Sequence, residues 1–124
     1  MSTKRNGIAS SLEVRLAVDL WKLLRAFERS IADLPAEKAA QRSAQLRYSR
    51  DRLDTLLSEA GLRIVTFDGQ FFSAHLPVTP INGDEVDADC AIVESTIEPS
   101  LVTTDQVVHV GKVLLAETGD VSGD

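Results

Sequence analysis

Several residue types are scarce in this chain, and each scarcity argues against a class of protein. The single cysteine, Cys90, cannot form a disulfide within the chain and fits a reducing cytoplasm. No apolar run approaches the roughly 20 residues of a membrane-spanning helix, and no signal-peptide run follows the basic residues near the N-terminus. These absences predict a soluble, cytoplasmic protein.

Aromatic residues and cations are also few. Aromatic residues make up 5% of the chain, so the core must consist mainly of Leu, Val, Ile and Ala. The net charge of -6 argues against nucleic acid and anionic membranes as partners, because phosphate binding needs clustered Lys and Arg. The deficit of cations is uneven, since Lys112 is the only Lys or Arg in residues 81–124. A hydrophobic content of 44% over 124 residues predicts a folded domain, or a small domain with an oligomerising stalk.

The first half of the chain has the pattern of two amphipathic helices. We predict a disordered N-terminus over residues 1–11 and a helical hairpin over residues 12–61. Pro35 interrupts the pattern where a second helix can begin, and Gly61 is placed to end that helix. Two helices with one apolar stripe each bury those stripes most completely as a four-helix bundle of two chains. The predicted dimer interface consists of Leu16, Leu20, Leu23, Phe27, Ile31, Leu46, Leu53 and Leu57.

The second half has the pattern of a small β domain, residues 62–117, followed by a flexible tail, residues 118–124. Asp68-Gly69 is a strong turn signal, and residues 75–89 predict a loop with room for a short edge strand. Strands are predicted over residues 62–67, 90–97, 107–110 and 113–115, the last two separate or joined through a bulge at Gly111. The predicted fold class is α+β: an N-terminal helical hairpin forming a dimeric four-helix bundle, then a small antiparallel β domain.

Evidence for a catalytic or metal site is weak. His75 and His109 have none of the spacings typical of metal ligands, and residues 84–89 lack the glycine and closing glutamate of a calcium loop. Cys90 is a candidate nucleophile, but a small buried residue in an apolar strand is the preferred interpretation. The chain also lacks a Gly-rich phosphate loop. We predict a protein that is not an enzyme, with no catalytic residue, metal or cofactor.

Three passages resemble the GrpE family, the nucleotide exchange factors of DnaK-type heat-shock chaperones. Residues 24–31 are similar to the family's Leu-Asp-Asn-Leu-Glu-Arg-Ala-Leu, and residues 57–62 are similar to its Leu-x-x-x-Gly-Val. Residues 93–117 follow, without a gap, the pattern Val-Glu-x-x-x-x-Pro-Gly-Tyr-x-x-x-Asp-Arg-Val-x-Arg-Pro-Ala-x-Val-x-Val-Ala. The positions in register with that pattern are Val93, Glu94, Pro99, Asp105, Val107, Val113 and Ala116. The resemblance covers residues 12–117 and implies a dimeric helical stalk with a β head.

The chain also departs from the family pattern at defined places. Gln106 replaces an arginine that family members use against the chaperone ATPase domain, and Ser100-Leu101 replaces Gly-Tyr. Residues 109–111, His-Val-Gly, replace Arg-Pro-Ala, and Ser73-Ala74 replaces Asp-Pro. Only 11 residues precede the first predicted helix, where the family has a long helix. The chain is therefore similar to a divergent, shortened member.

The resemblance implies an activity and a set of contact residues. A GrpE-like protein is a homodimer that binds the ATPase domain of a DnaK-type chaperone and promotes ADP release. The implied partner-binding residues are Arg29, Lys38, Phe72, Gln106, His109 and Leu115. The alternative for Arg29 and Lys38 is a solvated helix face. The alternative for Phe72 and Leu115 is the β core, which is the preferred interpretation.

Two further hypotheses remain beside exchange activity. A protein with the same fold could dock on a chaperone-like partner without accelerating exchange, which the substitutions at Gln106 and His109 suggest. A dimeric coiled-coil adaptor unrelated to chaperones is the third hypothesis. Binding without acceleration would favour the second, and a head with a different β topology would favour the third.

Overall fold

The computed structural model describes residues 11–118, which divide into two units between Arg63 and Ile64. Residues 1–10 and 119–124, and with them most of the predicted disordered N-terminus and flexible tail, lie outside the described range. We call residues 11–63 the helical unit and residues 64–118 the head. The fold class is α+β, as predicted.

The helical unit consists of two helices, α1 (Ser11–Ile31) and α2 (Ala36–Glu59). The prediction that a second helix begins near Pro35 is confirmed, because Pro35 immediately precedes α2 with φ -58°. A proline fits at this position, since the first amide groups of a helix have no partner within the helix. Short turn hydrogen bonds join the two helices, including one in which the Leu34 N–H donates to the Ile31 carbonyl at 3.0 Å.

The predicted end of α2 at Gly61 is also confirmed, and the geometry explains the glycine. Gly61 has φ +77°, in the left-handed region that favours glycine. The Leu62 N–H donates to the Leu57 carbonyl at 2.8 Å, and the Gly61 N–H donates to the Ser58 carbonyl at 3.0 Å. These two bonds form a Schellman motif, which satisfies the last carbonyl groups of the helix. Leu62 and Leu57 are both buried, so Leu62 packs back over the last turn.

Burial along α1 differs from the single stripe that the periodicity indicates. The buried residues of α1 are Val14, Ala17, Val18 and Leu24. The stripe chosen from the spacing of large apolar residues contains Leu12, Leu16 and Leu23, which are about 60% exposed or more. Helix α1 therefore carries two apolar faces, of which one is buried within the chain and the other is exposed.

Six strands form two three-stranded sheets, and all their residues except Arg63 belong to the head. They are β1 (Arg63–Val65), β2 (Val78–Pro80), β3 (Ala91–Glu98), β4 (Ser100–Val102), β5 (Val107–His109) and β6 (Gly111–Glu117), with a 3-10 helix at Ala88–Cys90. The strand orders are β1-β4-β5 and β2-β6-β3. The short edge strand predicted within residues 75–89 is therefore β2. Residues 107–115 form two strands that belong to different sheets, and not one bulged strand.

The prediction of a wholly antiparallel β domain is wrong for one strand pair. Strands β3 and β6 pair antiparallel, as do β4 and β5, but β2 pairs parallel to β6. The Asn82 side chain extends this parallel pairing beyond Pro80, because its amide nitrogen donates to the Leu115 carbonyl and its amide oxygen accepts from the Leu115 N–H, each at 2.9 Å. Turn and strand patterns do not indicate these side-chain bonds.

A β-bulge determines which face of β3 is buried. Ala91 and Val93 point into the core, but the register shifts between Val93 and Ser95. One extra residue changes the phase of the alternation, so Thr96 is buried instead of Ile97. The hydroxyl of Thr96 donates to the carboxylate of Asp68. This bond links β3 to the predicted Asp68-Gly69 turn, where Gly69 has φ +84°.

The head has its own hydrophobic core. Its buried members are Val78, Ala91, Val93, Val113 and Leu115, against which Phe67, Phe72, Leu76 and Val86 pack. Val93 and Val113 are fully buried. Burial of each such side chain stabilises a fold by about 1.5–3 kcal/mol. The core therefore holds the β2-β6-β3 sheet against the segment that precedes β2.

Candidate partner-binding sites

The described part of the head is strongly acidic. Residues 64–118 contain nine Asp and Glu side chains against one cation, Lys112, which is a formal charge of -8 with both histidines neutral. Residues 11–63 contain ten Lys and Arg against eight Asp and Glu, a formal charge of +2. Acidic surfaces attract basic partners over distances of about 8–10 Å at physiological salt. Any partner of the head must therefore tolerate or complement negative charge.

The β4–β5 hairpin ends in an ordered, exposed turn that carries Gln106. The Thr103 N–H donates to the Gln106 carbonyl at 2.8 Å, and the Thr103 hydroxyl accepts from the Gln106 N–H at 3.1 Å. The side chains of Asp105 and Gln106 are exposed at this turn. Local hydrogen bonds of this kind hold a turn in place without burying it. Gln106 is therefore presented to solvent on a fixed backbone.

His109 lies at the end of β5 and contacts Glu98 at the end of β3. The His109 Nε2 atom is 3.2 Å from the Glu98 Oε1 atom, and the two side chains are 28% and 15% exposed. The contact connects the two places where the chain passes from one sheet to the other. The sequence did not indicate Glu98 as a site residue, because the spacing of Glu98 and His109 does not reveal that the ends of β3 and β5 meet.

Gly111 explains why the two segments that pass between the sheets, one from β3 to β4 and one from β5 to β6, lie so close together. A Cβ atom at Gly111 would lie 2.4 Å from the Glu98 carbonyl oxygen and 2.8 Å from the Pro99 carbonyl carbon. The Ser100 hydroxyl donates to the Pro77 carbonyl at 2.6 Å and accepts from the Gly111 N–H at 3.2 Å. Only glycine permits this approach of backbone to backbone. The glycine thus positions His109 near Glu98.

Phe72 and Leu115 lie in or against the core. Leu115 is 2% exposed and is a member of the core cluster, whereas Phe72 is partly buried and packs against that cluster. The Phe72 N–H also donates to the Ala91 carbonyl at 2.9 Å, on the side of β3 away from β6. Their positions agree with the core interpretation, and Leu115 has almost no surface to offer a partner.

Arg29 and Lys38 are both exposed in the helical unit, in the last turn of α1 and near the start of α2. Next to Arg29 in the chain, Glu28 of α1 accepts a hydrogen bond from Arg50 of α2 at 2.6 Å. This ion pair is about half exposed on both sides, so its contribution to stability is small. Arg29 and Lys38 therefore belong to the hairpin's turn end, where they are accessible to a partner.

The exposed apolar face of α1 is the second candidate site. We call Leu12, Leu16, Leu20, Leu23 and Phe27 the leucine stripe. At 100° per residue these five side chains span an arc of about 80° on one side of the helix. The four leucines are 61%, 59%, 38% and 65% exposed in chain order, and Phe27 is half-buried. A row of exposed apolar side chains on one face of a folded unit is typical of an interaction site.

An apolar hollow of about 280 Å³ lies beside the first half of the leucine stripe. It is lined by Glu13, Leu16, Ala17, Leu20, Leu53, Leu56, Leu57, Ala60 and Leu62. Leu46, Leu53 and Leu57 of the predicted dimer interface are buried within one chain. Leu16, Leu20 and Leu23 are exposed, and Phe27 and Ile31 are half-buried. The surface available to a second chain is therefore on α1, with Leu56 of α2 at its edge.

The residues considered as catalytic or metal-binding candidates lie apart from these surfaces. Within residues 11–118, no three His, Cys, Asp or Glu side chains converge as metal ligands would. Cys90 is exposed, so the preferred interpretation of a buried cysteine is wrong. Its carbonyl accepts both the N–H and the hydroxyl of Thr118 at 2.8 Å. Cys90 thus sits at the end of the 3-10 helix, before the buried part of β3 begins.

No family model, no curated protein and no solved structure matches this chain. In the described part of the chain, neither helix combines the length and the apolar character needed to cross a membrane.

Proposed function

We propose that this protein is a GrpE-like cochaperone: a homodimer whose head binds the ATPase domain of a DnaK-type chaperone and promotes ADP release. The helical unit dimerises as a four-helix bundle, and the head provides the docking surface. The protein acts in the cytoplasm, with no cofactor and no chemistry of its own. The proposal continues the resemblance found in the sequence and draws its support from two features of the structure.

The main support is the structural role of the positions that match the family pattern. Pro99 lies at the crossing from β3 to β4, Asp105 lies in the exposed turn between β4 and β5, and Val113 is fully buried in the core. These are a corner, a turn and a core position, where the residue type matters most for a β unit. The substituted positions Gln106 and His109 lie on or near the surface. The substituted Ser100 and Leu101 are fully buried, so the pattern is kept at a corner, a turn and a core position and is altered both at the surface and in the interior.

The second support is the rigidity of the head. An exchange factor binds the open state of the ATPase lobes more tightly than the closed, ADP-bound state, and this difference in affinity shifts the population towards release. A head that deformed easily on contact would discriminate less between the two states. Three features oppose such deformation. They are the close approach of the Gly111 backbone to Glu98 and Pro99, the His109–Glu98 contact and the hydrogen-bonded turn at Gln106.

ADP release from a DnaK-type chaperone of the same organism tests the proposal. The chaperone is loaded with fluorescent ADP and mixed with excess ATP, with and without the protein. The protein should accelerate release in a saturable manner. Gln106→Ala and Arg29→Ala should each raise the concentration for half-maximal acceleration by about three- to tenfold, as loss of an interface contact does.

Two exposed positions outside the predicted contacts provide matched controls. Thr79→Ala on β2 and Arg15→Ala on α1 should leave the acceleration unchanged, since both side chains are exposed and neither is a predicted contact. If the wild-type protein at saturation does not change the release rate of any DnaK-type chaperone of its organism, exchange activity is disproved.

Docking without exchange is the second candidate. Arginines of the family pattern are replaced by Gln106 and His109, and the head carries a charge of -8. A surface altered in this way fits a basic partner, and it need not separate the lobes of an ATPase domain. Saturable binding measured by calorimetry, with no change in the rate of ADP release, would favour docking alone. Such binding should weaken as salt is raised.

A further inference from the structure

We propose that the outer face of the β2-β6-β3 sheet binds a basic amphipathic helix of a partner protein. The outer face is the side of this sheet that points away from the core cluster. Its apolar members are Phe71, Ile81, Ile92, Leu114 and Ala116. This surface is separate from the turn that carries Gln106, and the inference does not rest on exchange activity.

Alternation along β3 and β6 makes this sheet apolar on both faces. Successive side chains of a strand point to opposite faces of a sheet. The core cluster contains alternate residues of β3 and β6, so the residues between them point to the other side. These are Ile92, Leu114 and Ala116, and all three are half-buried. A sheet face that is covered by water alone normally carries polar residues at such positions.

Phe71 extends this surface beyond β3. It pairs with Ile92 in an antiparallel bridge, and Ile92 pairs in turn with Ala116 of β6. The neighbouring Phe72 packs against the core cluster, so Phe71 points away from that cluster. Phe71 is 75% exposed. An apolar row therefore crosses three adjacent segments, and its end at Phe71 is open to solvent.

Ile81 extends the surface on the opposite side, past the end of β2. Its N–H donates to the Val113 carbonyl at 2.8 Å, which continues the parallel register and places Ile81 beside Leu114. Val78 of β2 is a core residue, so alternation places Ile81, three residues later, on the outer face. Ile81 is 55% exposed. A second apolar pair thus lies next to the row through Ile92.

The dimensions of this surface fit one helix. Neighbouring strands lie about 4.8 Å apart, so the four segments that carry the five apolar residues span about 14 Å. A helix with its side chains is about 10–12 Å wide. The backbone groups of a sheet bond within its plane, so a partner on the face is held by side-chain packing. Such packing suits the apolar stripe of an amphipathic helix.

Carboxylates flank the apolar surface on its β3 side and on its β2 side. Glu94 is the extra residue of the bulge in β3. Asp84 and Glu85 lie in the turn that follows Ile81. All three acidic side chains are exposed, and the described head has one cation, Lys112. A helix that carries Lys or Arg beside its apolar stripe therefore complements this surface.

The same charges argue against two other occupants. A second copy placed face to face would bring together two heads of charge -8, and its carboxylates would meet like charges. An anionic membrane would repel the face for the same reason. Among apolar partners, a basic helix is the one that the carboxylates attract.

Binding of a synthetic peptide tests the inference. The probe is a fluorescent, helix-forming peptide of about 18 residues, with leucines spaced three and four apart and lysines elsewhere. Two control peptides have glutamate in place of lysine, or the same leucines dispersed around the helix. Fluorescence anisotropy should show saturable binding of the lysine peptide. The dispersed peptide should bind about tenfold more weakly, and the glutamate peptide should not bind.

Two matched double variants locate the binding surface. Phe71→Ser with Ile81→Ser should weaken binding of the lysine peptide by about tenfold or more, as loss of two apolar contacts does. Leu16→Ser with Leu23→Ser on α1 is the control for non-specific apolar binding and should leave the affinity unchanged. All four side chains are exposed, so neither variant removes a core residue.

Charge reversal tests the choice of a basic partner. Glu94→Lys should weaken binding of the lysine peptide by about threefold at low salt and by less at high salt. Glu59→Lys on α2 makes the same change in net charge at another exposed position and should leave the affinity unchanged.

Three results would overturn the inference. The first is a wild-type protein that fails to bind the lysine peptide or binds the glutamate peptide equally well. The second is wild-type affinity in the Phe71→Ser, Ile81→Ser variant. The third is a lower sedimenting mass of that variant, which would show that a second copy covers the face. The peptide assay needs no chaperone, so its result is separate from that of the ADP-release experiment.

Discussion

The two units of this chain arrange their exposed apolar residues differently. Each unit has a buried core, with Val93 and Val113 fully buried in the head and Leu53 and Leu57 buried in the helical unit. In the helical unit, Leu12, Leu16 and Leu23 are 59–65% exposed and lie in one row on α1. The exposed apolar residues of the head belong to separate segments and are Phe71, Ile81, Val107 and Val110.

This difference indicates a division of roles. A unit that buries its apolar residues alone can present polar groups on a rigid surface, as the head does with Gln106 and His109. A unit that leaves a row of leucines exposed gains stability by association, since about 25 cal/mol is recovered for each Å² of apolar surface removed from water. The head is therefore suited to recognition and the helical unit to assembly.

The largest expected effect comes from Leu115→Ala in the head. Removing a buried leucine side chain should lower the free energy of unfolding by about 2–5 kcal/mol, because it loses burial and leaves a cavity. The matched change Leu23→Ala in the helical unit should cost less than about 0.5 kcal/mol when measured on dilute, monomeric protein. Chemical denaturation followed by circular dichroism measures both, and equal losses would contradict the contrast between the units.

The choice of spectroscopic probe matters for this measurement. The chain's single Trp and single Tyr are Trp21 and Tyr48, and both lie in the helical unit. Intrinsic fluorescence therefore reports on the helical unit alone. Hydrogen exchange of amides in β3 and β6 follows the head directly, and Leu115→Ala should accelerate exchange there while leaving α1 and α2 unchanged.

The double variant Leu16→Ser with Leu23→Ser should weaken association by about 1,000-fold. A two-fold dimer contains each substitution twice, so four leucine side chains are lost. Each is already partly buried in one chain and contributes roughly 1 kcal/mol when its exposed part is covered, and every 1.4 kcal/mol is a factor of ten in affinity. Sedimentation across a range of concentrations measures the change. The exposed polar pair Arg42→Ser with Arg52→Ser on α2 is the control and should leave the mass unchanged.

Gly111→Ala should destabilise the head by about 1–3 kcal/mol, because the new Cβ atom has to displace backbone atoms of Glu98 and Pro99. Gly83→Ala is the control, since its Cβ would lie at an ordinary 3.6 Å from the Pro80 side chain. Thermal unfolding compares the two. A Gly111→Ala variant as stable as Gly83→Ala would show that the backbone around Gly111 shifts at little cost in stability. This result would weaken the argument for a rigid head.

The smallest effect is expected from Arg50→Ala in the helical unit. Its ion pair with Glu28 is short, at 2.6 Å, but the two side chains are 43% and 47% exposed. Exposed pairs contribute about 0.2–1 kcal/mol and lose strength in salt. Unfolding of the helical unit, followed by Trp21 fluorescence, should shift slightly at low salt and still less at high salt. A loss above about 2 kcal/mol would show that charge pairs stabilise the hairpin more than the packing of Leu46, Leu53 and Leu57 suggests.

Local signals in the sequence predicted the element boundaries well. Pro35 and Gly61 delimit α2 because their backbone angles and hydrogen-bonding groups act over a few residues, and Asp68-Gly69 forms its turn for the same reason. The alternation of β-branched residues located β3 and β6. These features depend on neighbours in the chain, which the sequence displays.

Features that depend on distant residues could not be predicted in the same way. The parallel pairing of β2 with β6 joins Val78 to Gly111, and Asn82 extends it through hydrogen bonds to Leu115, 33 residues later in the chain. The bulge in β3 moved burial from Ile97 to Thr96, and a one-residue shift reverses the faces of a strand. On α1, small residues such as Ala17 and Val18 are buried where the spacing of large leucines suggested another face. The His109–Glu98 contact likewise forms only after two sheets are assembled.

Whether a second copy completes the helical unit is tested most directly by the mass of the intact chain in solution. One chain has a mass of 13.5 kDa. Sedimentation equilibrium of the wild-type protein at micromolar concentration should give twice that mass, and the Leu16→Ser, Leu23→Ser variant should give a single-chain mass under the same conditions. A wild-type protein that remains at 13.5 kDa as its concentration rises would contradict the dimer.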